Sequence, residues 1–328
     1  MKRSWIWEVS RSIGLSLVVT LATLGALEVV LRVADFRLLR AGLSENSLSY
    51  AYDAELGWAP VPNSSSMFTS VRTTHIKHNS LGLRDEEFSL DATPTIMFLG
   101  DSFVWGLDSE ADERFSDLLR PKVPDYKILA AGVAGYGTDQ EYLLLKRLWP
   151  KIKPAVVVLI FCSLNDRSDN STNVRYGSYL KPYFTTQPDG SLELMGQPVP
   201  RSHQLYIKDN WLVRNLWLAR LGMSFYVRLR YPPLFVPDPT EELVRKLREF
   251  VESNGAKFLV GVQGQDEVLI RYLNANRIPS VRLEGAAHYT GGLGPHWTPE
   301  GQQFVAERVL GLLSANNIIH HDAAAQDN

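Results

Sequence analysis

The 328-residue chain has a single cysteine, Cys162. One thiol excludes an internal disulfide and any cysteine-based metal site. Lying inside an apolar run, it reads as a buried core residue rather than a nucleophile. An excess of charge is also lacking. There are 34 Lys and Arg against 36 Asp and Glu, a formal net charge of -2, so nothing points to nucleic acid. His75 and His78 are close in sequence but have no acidic neighbours, and no metal is expected there. Gly132 to Gly137 is glycine-rich, yet no Lys-Ser/Thr follows as in a P-loop, and no cofactor is expected. No internal repeat or low-complexity tract stands out. At 45% hydrophobic and 21% charged residues, the chain is long enough for one good-sized domain plus additions, or two small ones.

Residues 1–11 form a basic N-terminal segment with Lys2, Arg3 and Arg11 against Glu8. From Ser12 to Leu27 there is no charge, and Glu28 and Arg32 alone interrupt the apolar window to Val33. Residues 12–33 therefore read as a transmembrane helix. Glu28 and Arg32 are one turn apart and can pair near the interface. No A-x-A cleavage site follows, so the segment reads as an uncleaved signal-anchor. Arg32, Arg37 and Arg40 offset the basic N-terminus; the expected orientation leaves the body of the protein outside the cytoplasm, in the periplasm. Residues 34–93 read as an approach segment with short strands between Met67 and Lys77. Residues 317–328, chiefly His320 to Asn328, read as a disordered tail.

Residues 94–316 carry strand and helix patterns in alternation. Strands are expected at Thr95–Leu99, Tyr126–Val133, Ala155–Cys162, Lys257–Val262 and Ile278–Leu283. Helices are expected near Arg114–Arg120 and at Thr138–Trp149, Thr240–Asn254, Asp266–Ala275 and after Thr298. Thr138 and Glu141 have capping-box spacing; Thr298 and Pro299 suit an N-cap and a first helical turn. Such alternation predicts an α/β fold, a mostly parallel sheet in three α/β/α layers. An insertion, 167–236, interrupts it. Its first part, around Pro188-Asp-Gly190, reads as a hairpin. His203 to Arg230 mixes Trp, Leu, Tyr and Arg in helical rhythm, and reads first as a cap on the domain and second as a membrane or partner contact.

Four polar groups follow strands or precede the last helix. Gly100-Asp-Ser102 ends the first strand, where a tight turn aims backbone N–H groups at a developing oxyanion. The Gly-x-Ser-x-Gly elbow is not matched, because Val104 stands where the second Gly belongs. Gly135 lies in the Gly-rich loop, Asn165 in Ser163-Leu-Asn-Asp166, and His296 ahead of Trp297-Thr-Pro-Glu-Gly301. In an open α/β sheet such strand ends converge on one edge.

These four blocks, in this chain order, resemble those of the SGNH or GDSL hydrolases over about Ile96 to Leu313. Asn79-Ser-Leu-Gly-Leu-Arg-Asp85 is similar to the approach of membrane-anchored bacterial members. The resemblance implies a flavodoxin-like, SGNH-type sheet, Ser102 as nucleophile and His296 as general base. The oxyanion hole would be the N–H groups of Ser102 and Gly135 with the Asn165 side chain. Two departures stand out. Ser163 replaces the usual Gly. Leu293 stands three residues before His296, where the family places an Asp. The His orienter is then a backbone carbonyl, a distant acid such as Glu284, or missing along with catalysis.

The resulting expectation is a serine esterase or O-acyltransferase acting on a carbohydrate or lipid ester outside the cytoplasm. The alternative is a non-catalytic, membrane-anchored binding or scaffold protein of an envelope polysaccharide system.

Overall fold

The computed structural model describes residues 2–36, 39–40, 50–89 and 91–319. The expected tail from His320 and the Arg37 of the orientation argument lie outside these residues. Contacts divide the chain into two units. One comprises 1–43 and 201–232; the other comprises 44–200 and 233–328.

The larger unit is built on five parallel strands: β1 (Thr95–Gly100), β2 (Lys127–Gly132), β3 (Val156–Cys162), β4 (Lys257–Gln263) and β5 (Ser280–Arg282). Their spatial order is 5-4-3-1-2, the flavodoxin-like order with its switch point between β1 and β3. Every residue of β1 and β3 is buried. That is why both read as unbroken apolar runs: helices cover both faces of a parallel sheet.

The helices in chain order are α1 (Lys2–Ala34), α2 (Ser102–Trp105), α3 (Phe115–Leu119), α4 (Thr138–Ile152), α5 (Asp166–Asn170), α6 (His203–Asp209), α7 (Trp211–Asn215), α8 (Trp217–Arg230), α9 (Thr240–Ser253), α10 (Glu267–Ala275) and α11 (Pro299–Ala315). Helices α3 and α11 pack together on one face. There Phe115, Leu119, Val305, Val309 and Leu313 join Ile96, Phe98, Val158 and Ile160 in one core. Helices α4 and α9 pack together with contacts to β1 and β4, on the side to which Met97, Leu99, Val157 and Leu159 alternate.

Three expectations change. The α4 cap forms one residue early: Gly137 is the N-cap, and Thr138 is already helical. The Thr138 hydroxyl and both Glu141 carboxyl oxygens are buried without partners, so no capping box forms. The approach segment, read as 34–93, is divided: from residue 44 it is part of the larger unit, whereas 34–43 groups with α1. Arg84 is buried and donates to the carbonyls of Gly106 (2.5 Å), Ser109 (2.6 Å), His75 (3.1 Å) and Trp105 (3.2 Å). One planar guanidinium thus satisfies the end of α2 and the turn after it. Asp85 accepts from the Ala130 N–H of β2 at 2.7 Å and pairs with Arg120. Finally, the two parts of the insertion fall in different units. Its hairpin, Tyr183–Thr186 with Leu192–Met195, belongs to the larger unit, whereas 201–232 groups with α1. Within that smaller unit Glu28 and Arg32 bond to the α7–α8 region as well as to each other.

Candidate active site

Ser102 begins α2 directly after β1. Gly100 permits this abrupt start, since a Cβ there would lie 2.5 Å from Val104 Cγ2. Asp101 caps the turn, accepting from the Phe103 N–H at 2.9 Å. Gly106, at φ 81°, ends the helix after a single turn. Gly132 lets α2 lie against β2, because a Cβ there would meet the Trp105 nitrogen at 2.3 Å. The serine is therefore set by the end of β1 and by packing on both sides of its turn.

His296 comes from the loop before α11. Thr298 caps that helix, accepting from the Gly301 N–H at 3.2 Å. Trp297 is fully buried and donates to Gln263 Oε1 at 3.0 Å. Phe103, next to the serine, packs on both rings, with centroids 5.0 Å from His296 and 4.7 Å from Trp297. These contacts bring the imidazole to the serine: Ser102 Oγ lies 2.8 Å from His296 Nε2. The other ring nitrogen, Nδ1, faces the Gly294 carbonyl at 3.3 Å. A carbonyl only accepts, so Nδ1 carries the proton and Nε2 is free to accept from the serine hydroxyl.

The structure corrects the Glu284 candidate. Glu284 is 3.9 Å from Arg282 at the exposed end of β5 and makes no contact with His296. The backbone carbonyl takes the place of the missing acid. Burial pushes the His296 pKa down to about 4, with the nearby Asp108 charge and the Gly294 carbonyl opposing the shift.

Asp108 is the residue that the sequence reading passed over. It is fully buried, at φ 63°. Its Oδ1 accepts from the Val71 and Arg72 N–H groups at 2.9 and 3.1 Å, and its Oδ2 has no partner. The signal available was small: an Asp six residues after the serine in a polar turn.

Gly135 sits at φ 83°, and a Cβ there would come within 3.0 Å of the Tyr176 ring. The backbone angle favours glycine, and a Cβ would in addition press on the Tyr176 ring. Neither the Ser102 nor the Gly135 N–H has a partner among the described residues. Asn165 is placed differently from the expectation of a free donor. Its amide donates to Asp169 Oδ2 at 2.9 Å and, more weakly, to Asp166 Oδ1 at 3.2 Å. Ser163, in the usual Gly position, donates from Oγ to the Gln263 carbonyl at 2.7 Å and so ties β3 to the end of β4.

Beneath the serine lies a buried acidic group: Asp101, Asp139, Glu141, Asp166 and Asp169, with Lys181 on Asp139 and Arg175 on Asp169 at 2.6 Å. Burial pushes Asp101 up to about 6 and raises Glu141 and Asp166 well above the usual carboxylate range, with mutual repulsion adding to both. Among the described residues no group of His, Cys, Asp and Glu has metal-holding geometry. A separate cleft of about 770 Å³, lined by His75, Arg84, Glu110 and Asp117 among others, includes neither Ser102 nor His296.

The chain is similar to solved structures of GDSL lipolytic proteins. A G-D-S-L family lipolytic protein from Veillonella parvula is 12% identical, with a TM-score of 0.39, covering 67% of this chain and 98% of that one. A putative acylhydrolase from Bacteroides fragilis is 11% identical, with a TM-score of 0.39, covering 70% and 92%. The structure of TesA is 16% identical, with a TM-score of 0.37, covering 67% and 98%. No family model matches the chain, and no curated protein matches it in sequence. At these TM-scores the likeness carries no part of the functional reading, which stands on the geometry above.

Proposed function

We propose that this chain is an SGNH-type serine acyl-ester hydrolase or O-acyltransferase. It acts on a carbohydrate or lipid ester outside the cytoplasm and is held at the membrane by α1. The observation that carries the reading is the 2.8 Å approach of Ser102 Oγ to His296 Nε2, with Nδ1 turned to the Gly294 carbonyl.

In the proposed reaction Ser102 Oγ attacks the acyl carbon while its proton passes to Nε2. The carbonyl oxygen becomes an oxyanion that accepts from the free N–H groups of Ser102 and Gly135. Asn165 joins them by turning from its long contact to Asp166. The C–O bond to the leaving alcohol then breaks, and that oxygen takes the proton from Nε2. An acyl-serine remains. Water, or a sugar hydroxyl, gives its proton to Nε2 and attacks the acyl carbon; the C–Oγ bond then breaks and Ser102 Oγ takes the proton back from Nε2. The acceptor alone separates hydrolase from transferase.

Helix α1 supports the membrane part of the reading. Trp7 to Ala34 is long and apolar enough to span a bilayer, and none of it is buried.

The test is labelling of the full chain with a fluorophosphonate. Wild type is expected to label at Ser102 and Ser102→Ala to stay blank. A wild-type chain that stays unlabelled beside a reacting control esterase favours the scaffold alternative. So does full biological function in both Ser102→Ala and His296→Ala.

A further inference from the structure

Helix α8 has an apolar face that nothing in its own unit covers. Gly222, Phe225, Tyr226 and Leu229 follow the i, i+3, i+4, i+7 spacing of one helical stripe. Phe225 is 60% exposed, Tyr226 54% and Leu229 83%, while Ser224 and Val227 on the other side are buried. On the preceding α7, Trp211 is 70% exposed and Leu212 53%. Scattered exposed apolar residues are ordinary, but a continuous stripe with aromatics marks a surface that meets something.

The way α8 is attached to α1 says what that is. Glu28 Oε1 and Oε2 accept from the Trp217 and Leu218 N–H groups, each at 2.9 Å. The carboxylate thus caps the positive end of the helix. Arg32 bonds to Glu28 at 2.8 Å and donates to the Asn215 carbonyl at 2.5 Å. Arg220 donates to the carbonyls of Val213 and Leu39, both at 2.9 Å. The uncharged run of α1 ends at Leu27. Counting 1.5 Å per residue, Ser12 to Leu27 spans about 24 Å, against a hydrocarbon core of about 30 Å. Glu28 is the first charge beyond that run, so it lies at the edge of the hydrocarbon, and it holds the first turn of α8 at the same depth. Arg228 and Arg230 in the last turn are exposed and pair with no carboxylate among the described residues. Segment 201–232 carries five Arg and one Lys against a single Asp. Aromatics at the boundary, an apolar stripe and guanidinium groups are what a helix needs to lie in a lipid interface and meet anionic headgroups.

We infer that α7 and α8 form a second membrane element. They lie in the plane of the same bilayer that α1 crosses, with Trp211, Phe225, Tyr226 and Leu229 in the lipid and Arg228 and Arg230 at phosphate headgroups. The inference rests on the anchor reading of α1 and is independent of the chemistry at Ser102.

The experiment uses the full chain in vesicles of phosphatidylethanolamine and phosphatidylglycerol. Nitroxide labels are placed one at a time at Phe225→Cys, Leu229→Cys, Val18→Cys and Asp189→Cys. Wild type, whose Cys162 is buried, is the blank. Collision with oxygen and with a water-soluble nickel chelate reports depth by electron paramagnetic resonance. The labels at 225 and 229 are expected to favour oxygen, shallower than Val18 and unlike Asp189 on its exposed turn. If 225 and 229 read as aqueous while Val18 reads as lipid, the inference fails and the anchor reading stands. If Val18 reads as aqueous, both fail. Labels at 225 and 229 shielded from both reagents indicate a protein partner or a second copy and overturn the lipid assignment.

Discussion

The two halves of the site are built in opposite ways. On the serine side, carboxyl groups outnumber cations: Asp101, Asp139, Glu141, Asp166 and Asp169 are buried, with Lys181 on Asp139 and Arg175 on Asp169. On the histidine side no carboxylate among the described residues hydrogen-bonds the ring, and the Gly294 carbonyl faces Nδ1. The carboxylates therefore stand where they fix the nucleophile turn, not where they would stabilise an imidazolium. Asp101 caps α2, and Asp166 Oδ2 accepts from the Cys162 N–H at 2.7 Å. A neutral carbonyl still sets the tautomer and ring direction, but it gives the charged ring less support than an acid would. Under the proposed function, Ser102 would be a firmly placed nucleophile and His296 a base with little support for its charged form.

The largest expected effect tests whether the halves work as one unit. His296→Ala should lower kcat by about 10⁴-fold or more, and Ser102→Ala added to it should lower it little further. Steady-state ester hydrolysis on both variants measures this; additive losses would separate the halves. Next is Gly135→Ala. Positive φ and the Tyr176 ring both oppose a Cβ, and displacement of one oxyanion donor should cost about 10²–10³ in kcat with KM nearly unchanged.

The pH profile sharpens the histidine side. With its pKa lowered to about 4, His296 stays neutral down to that range. The acid limb of kcat/KM should fall near pH 4 rather than near 6.5. Asp108→Asn keeps an oxygen for the Val71 and Arg72 N–H groups and tolerates positive φ, but removes a charge that favours the imidazolium. Its acid limb should move lower still and its plateau rate should drop by about tenfold or less. An unmoved limb would show that Asp108 has no part in the base.

The smallest effect probes the acidic side. Glu141 is raised well above its usual range, so the folded state holds its proton more tightly than the unfolded state. Its contribution to stability is present at low pH and lost as pH rises through the folded value. His78 and His296, both lowered to about 4, act oppositely, gaining stability between pH 4 and 6.5. Above pH 6.5 these two histidines no longer contribute a slope. Glu141→Gln should then flatten the decline of stability with pH, read from urea midpoints across a pH series.

The sheet was legible in residue pattern because parallel strands covered on both faces must be apolar throughout. Val156–Cys162 and Thr95–Gly100 have no other plausible role. The start of α4 was less legible: Thr138 and Glu141 have the spacing of a capping box, yet Gly137 is the N-cap and both side chains are buried without partners. The roles of Arg84 and Asp108 were not legible, since each acts through contacts with segments more than twenty residues away.

By itself, the sequence determined the order of strands and helices, the apolar span of α1 and the four residue types that follow the strand ends. Periodicity and turn chemistry are local, and a chain carries them wherever it folds. Tertiary structure alone decided that Ser102 and His296, 194 residues apart, meet at 2.8 Å, that a carbonyl rather than Glu284 stands behind the ring, and that 201–232 joins α1. Those outcomes depend on which buried groups find partners once the layers close, a balance that no single segment contains.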